Sequence, residues 1–65
     1  MKLSERRKKL LLTQKEFAGM VGVSQPYISE IETGITKPNW ALLKKMAKVL
    51  GVENTTLFRE IEDGK

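Results

Sequence analysis

Between Val21 and Ser24 the chain has only Gly22 and Val23 with which to turn from one helix into the next, and few folds accommodate so short a turn. The helix before it opens at Thr13. Glu16 follows three residues later, a capping box of the form T-x-x-E. Leu12 and Phe17 close across the cap as a hydrophobic staple, and Phe17, Ala18 and Val21 share one side of a helix over Gln14–Val21. The helix after the turn opens at Ser24. Pro26 sits in its first turn, where a missing N–H costs nothing, and Val23 and Ile28 form a second staple. Ile28 and Ile31 point inward, and Gly34 closes the helix after Thr33. Two helices joined this tightly cross steeply, because there is no chain to lay them antiparallel. Ala18 is small enough for the crossing. Gly22 adopts positive φ without the roughly 1–2 kcal/mol penalty of other residues.

Three further helices frame this corner. Leu3, Arg7 and Leu10 share a face of a first helix over Leu3–Leu11, with an arginine in the middle of the apolar side and Arg6, Lys8 and Lys9 on the wet circumference. The segment Ile35-Thr36-Lys37-Pro38 leads to Asn39 as the next N-cap. A helix over Trp40–Leu50 carries the stripe Leu42, Leu43, Met46, Ala47 and Leu50, with Lys44, Lys45 and Lys48 opposite as a solvated face, and Gly51 ends it. A last helix over about Thr55–Glu62, capped by Asn54 or Thr55, offers Leu57, Phe58 and Ile61. Trp40, Phe58 and Ile61 suit either a core or an interface. Strand signals are weak throughout. The expectation is an all-α, compact five-helix domain occupying residues 1–65, with a central helix-turn-helix at about 14–33. Such a corner is either a bare bend in a small bundle or an element that reads DNA; the spacing favours the second.

Composition narrows the chemistry. Sixty-five residues hold one small domain. The sequence has no cysteine and no histidine, so Ser/His/Asp, Cys/His and HExxH sites cannot be built from it, and no catalytic residue is assigned. No metal site, cofactor or small-molecule ligand is expected. The longest apolar run, Leu10-Leu11-Leu12, is far short of the roughly 20 residues that cross a bilayer, and no signal peptide stands out, so a soluble cytoplasmic protein with no membrane partner is expected. Twelve Lys+Arg against eight Asp+Glu give a net charge of +4. The excess is segregated. Lys2, Arg6, Arg7, Lys8 and Lys9 crowd one end and Lys37, Lys44, Lys45 and Lys48 the middle, while Glu53, Glu60, Glu62 and Asp63 outweigh Arg59 and Lys65 at the other end. A basic body of this kind points to a polyanion, nucleic acid before membrane, with solvated helix faces as the plainer reading.

Thr13-Gln14-x-x-Phe17-Ala18, Gly22-Val23-Ser24-Gln25, Ile28-Ser29-x-Ile31-Glu32-x-Gly34 and Pro38 together resemble the lambda-repressor/Cro-like helix-turn-helix family, of the xenobiotic-response-element type. The resemblance covers about the first fifty residues. It departs at Leu11, where the family often has a glycine. The resemblance implies a five-helix domain that binds double-stranded operator DNA, usually as a homodimer. It lays the third helix in the major groove, so that Gln25, Pro26, Tyr27 and Glu30 reach base edges, with Ser29 flanking.

On that mapping Gln25 is the foremost reader, since a glutamine amide bonds adenine N6 and N7 together. Glu30 either accepts from cytosine N4 or stays a solvated carboxylate beside a lysine. Pro26 can press only on a thymine methyl. Tyr27 either reaches a phosphate or packs on the core. Phosphate contacts fall to Gln14, to the N–H groups after Asn39, and to Thr36 and Lys37, while Ser24 caps, contacts phosphate, or does both. The resemblance also pairs Arg7 with Glu32 as a structural ion pair, and makes Leu57, Phe58 and Ile61 the dimer seam. The functional expectation is a sequence-specific DNA-binding transcriptional regulator, such as a repressor, working in a prokaryotic nucleoid or a phage-infected cell. The competing one is a protein-interaction module of the same fold, an antitoxin or coactivator-like adaptor. Salt separates them, because phosphate contacts release counterions and weaken steeply as salt rises.

Overall fold

The computed structural model describes residues 2–63, in five helices: α1 (Lys2–Lys9), α2 (Gln14–Val21), α3 (Gln25–Glu32), α4 (Trp40–Leu50) and α5 (Asn54–Asp63). There is no strand among the described residues. Helix α2 packs on α3 and α4, α4 on α5, and α5 on α1. Leu3, Phe17, Ile28, Ile31, Met46 and Leu57 are wholly buried, so every helix gives at least one side chain to a single core.

One device ends four of the helices. In each, a residue with left-handed backbone follows the last turn, and the next N–H reaches back five residues. Val23 N donates to the Ala18 carbonyl across Gly22 (φ 82°), Ile35 N to Glu30 across Gly34 (φ 84°), and Val52 N to Ala47 across Gly51 (φ 73°). The fourth case is Leu12 N to the Arg7 carbonyl across Leu11, whose φ is 60°. Helix α1 therefore stops at Lys9, and Leu10 and Leu11 form its turn; the expected extension to Leu11 is not made. The N-termini follow the caps. Thr13 and Glu16 form the reciprocal capping box, Ser24 accepts from Tyr27 N, and Asn39 accepts from Leu42 N. Helix α5 begins one residue earlier than expected, so Asn54 and Thr55 both lie inside it and neither is the residue before its first turn.

Part of the charge segregation seen along the sequence is folded away. Arg6 Nε donates to Glu60 at 2.7 Å and Lys37 Nζ to Glu62 at 2.8 Å, so α5 carries its acids back onto α1 and the α3–α4 loop. Arg6 is thus an α1–α5 tie as well as a partly exposed side chain; its bonds to the Glu60 carboxylate raise its already high pKa. Lys65, counted with the acidic end, lies outside the described residues. No helix among the described residues is long and apolar enough to cross a membrane.

Candidate nucleic-acid interface

The short turn at Gly22-Val23 sets the N-terminus of α3 outside the core. Gln25 and Pro26 are exposed there, as are Ser24 before them and Glu30 further along. Ser29 is half-buried. Tyr27 is half-buried too, packed against the core cluster, which is the second of its two expected positions. Ser24 spends its hydroxyl as a cap acceptor, 3.3 Å from Tyr27 N.

Beneath this surface lies a continuous polar chain. Arg7 and Glu32 form an ion pair at 2.7 Å, with both side chains more than nine-tenths buried. Arg7 Nη2 also donates to Glu32 Oε1 at 3.2 Å, and Nη1 donates to the Leu12 carbonyl at 2.7 Å. One guanidinium therefore binds α1 to the end of α3 and clamps the turn that contains Leu11. This is why an arginine stands on the apolar face of α1: its charge is met inside. Losing one partner of such a pair costs about 3–5 kcal/mol. From Glu32 the chain continues outward. Gln14 Nε2 donates to Glu32 Oε1 at 2.9 Å, and Gln25 Nε2 donates to Gln14 Oε1 at 2.7 Å. Gln25 and Glu32 are seven residues apart on one face of α3, so a single glutamine at the start of α2 touches both ends of that helix.

The remaining phosphate candidates surround the same region in sequence but differ in availability. Asn39 gives its carbonyl oxygen to the α4 cap. Lys37 is exposed and engaged with Glu62. Thr36 is half-buried, its N–H 3.4 Å from the Glu30 carbonyl. The Lys44, Lys45 and Lys48 side chains line an open, shallow depression with Ala41 and Asn54.

Of the expected seam residues Leu57, Phe58 and Ile61, Leu57 is fully buried and Ile61 nearly so, because both face the core that α5 shares with α1 and α4. Of the three only Phe58 is exposed, and it meets Trp40 edge to face, ring centroids 6.2 Å apart at 69°. Among the described residues no group of three His, Cys, Asp or Glu side chains converges as metal ligands.

A family profile described as helix-turn-helix matches residues 3–53, which span α1 to the end of α4. The chain belongs to the lambda-repressor/Cro-like helix-turn-helix family. It is 40% identical over 63 residues to an uncharacterized HTH-type transcriptional regulator of Methanothermobacter thermautotrophicus, covering 95% of this chain and 91% of that one. It is 35% identical over 66 residues to the HTH-type transcriptional regulator DdrOP3 of Deinococcus deserti, covering 95% of this chain and 51% of that protein. An uncharacterized HTH-type transcriptional regulator of Mycobacterium tuberculosis shares 36% identity over 47 residues, 72% of this chain and 34% of the relative. The chain thus spans about half or less of the deinococcal and mycobacterial proteins. No solved structure matches it significantly.

In this helix-turn-helix domain the Gln14 bridge to Gln25 and Glu32 escaped sequence reasoning, as did the engagement of Lys37 by Glu62 and of Arg6 by Glu60. The first had a signal. Each helix of the corner opens on a glutamine directly after its cap, and a steep crossing brings two such N-termini together. The two ion pairs depend on where α5 lies in space, which no local pattern encodes.

Proposed function

We propose that the domain is a sequence-specific, double-stranded-DNA-binding transcriptional regulator. It reads the major groove with α3 and acts as a homodimer on a palindromic operator. The observation that carries this reading is the start of α3, where Gln25 and Pro26 are exposed and the Gln25 amide is tied to Gln14 at the N-terminus of α2. One N–H of Gln25 is used on Gln14. The other, with its carbonyl oxygen, forms a donor–acceptor edge that fits adenine N7 and N6. Pro26 lies beside it against a thymine methyl, and Glu30, one turn on, serves a cytosine N4. Gln14, Ser24, Thr36, Lys37 and the N–H groups following Asn39 hold the phosphates and set the register. The domain measures 24 × 24 × 21 Å, less than the roughly 34 Å between successive major-groove faces, so one copy reads one half-site and a pair reads two.

Selection from a random duplex pool tests this directly. The wild type should enrich a short inverted repeat, with affinity falling steeply as salt rises. Gln25→Ala should keep the salt dependence and lose preference at one base pair per half-site, by about five- to 150-fold. A pool that stays random with the wild type would reject the DNA reading in favour of a protein partner.

A further inference from the structure

We propose that Glu32, buried at the far end of α3, is a positioning residue for base selectivity, acting on Gln25 through Gln14; the inference rests on the DNA reading above and deepens it. A free glutamine amide can turn either edge outward. Here it cannot. The Glu32 carboxylate only accepts hydrogen bonds, and its Oε1 takes one from Gln14 Nε2 at 2.9 Å. That fixes the Gln14 carbonyl oxygen toward Gln25, where it too only accepts, and it takes a hydrogen from Gln25 Nε2 at 2.7 Å. Gln25 is left with one hydrogen and one oxygen facing out. Adenine offers an acceptor at N7 and a donor at N6 and is matched. Guanine offers two acceptors, N7 and O6, and meets a second acceptor where it needs a donor. The Arg7 guanidinium, 2.7 Å from Glu32 Oε2, keeps the carboxylate in place, so a buried ion pair two helical turns away sets the polarity of the reading edge.

Two variants cut the relay at different points. Gln14→Met removes the half-buried amide that bridges Glu32 and Gln25 and keeps both Arg7 and Glu32. Arg7→Met together with Glu32→Met replaces the pair by apolar side chains of similar length, an exchange buried pairs often tolerate. In the DNA-free domain, the side-chain amide resonance of Gln25 should move to that of a solvated glutamine in both, although Glu32 does not touch Gln25. An unmoved resonance overturns the relay without reference to DNA. On duplexes carrying the selected site, both variants should lose adenine-over-guanine preference at the Gln25 base pair by about fivefold or more. Adding Gln25→Ala to either should cost no further preference. Full preference retained in Gln14→Met, or in a folded Arg7→Met/Glu32→Met, overturns the proposal and leaves the DNA reading standing. A wild type that selects no duplex overturns that reading instead.

Discussion

Leu11 holds φ at 60° with its side chain 89% exposed, a conformation that costs an L residue roughly 1–2 kcal/mol with no burial in return. The turn survives because other bonds over-determine it: Leu12 N reaches the Arg7 carbonyl, and the Arg7 guanidinium takes the Leu12 carbonyl from the other side. Glycine at this position would relieve the strain and add only its own unfolded-state entropy, about 0.4–1 kcal/mol. Leu11→Gly is therefore expected to stabilise the domain by about 0.5–1 kcal/mol, raising Tm by roughly 2–8 °C in thermal unfolding by circular dichroism. A lower Tm would mean that the leucine side chain contributes packing that outweighs its backbone. The same residue shows where residue-level reading works and stops. A leucine at a family glycine position flags the site, but its backbone angle follows from the Arg7 clamp, which joins residues from two elements.

At the scale of the elements, α2, α3 and α4 were legible to the residue, because each carries its own start and stop: Thr13, Ser24 and Asn39 before them, Gly22, Gly34 and Gly51 after. Helices α1 and α5 were not. One ends on a leucine in place of glycine, and the other begins before either residue expected to cap it. Helix α5 also has an effect that its sequence alone conceals. Its Glu62 takes Lys37, the one lysine of the α3–α4 loop, so a phosphate must displace a carboxylate before that amine can bind it. An exposed pair of this kind is worth about 0.2–1 kcal/mol. Glu62→Gln should raise duplex affinity by up to about fivefold at low salt, measured by fluorescence anisotropy, and the gain should shrink as salt rises. Unchanged or weakened binding would place Lys37 away from the phosphates.

At the scale of the whole molecule, one exposed apolar feature is a pair of aromatic rings. Trp40 at the start of α4 and Phe58 on α5 stand side by side, 52% and 47% exposed, while their neighbours Leu42, Leu43, Leu57 and Ile61 are consumed by the core. A domain of this size buries only about 60% of its unfolded surface, and association is a common way for it to cover more. Two aromatic rings supply much of the binding energy of an interface at small cost in side-chain entropy. A two-fold axis through this patch would set Trp40 and Phe58 of one copy against those of the other. We therefore propose Trp40 and Phe58 as the seam of a homodimer. Wild-type domain at hundreds of micromolar should sediment as a dimer. Trp40→Ala combined with Phe58→Ala should sediment as a monomer while keeping its helical circular dichroism, since neither ring belongs to the buried core. The same double variant should bind an isolated half-site as the wild type does and forfeit the cooperative gain on the full repeat. A wild type that remains monomeric at that concentration and still binds the repeat cooperatively would move the pairing surface off this patch and onto the DNA itself.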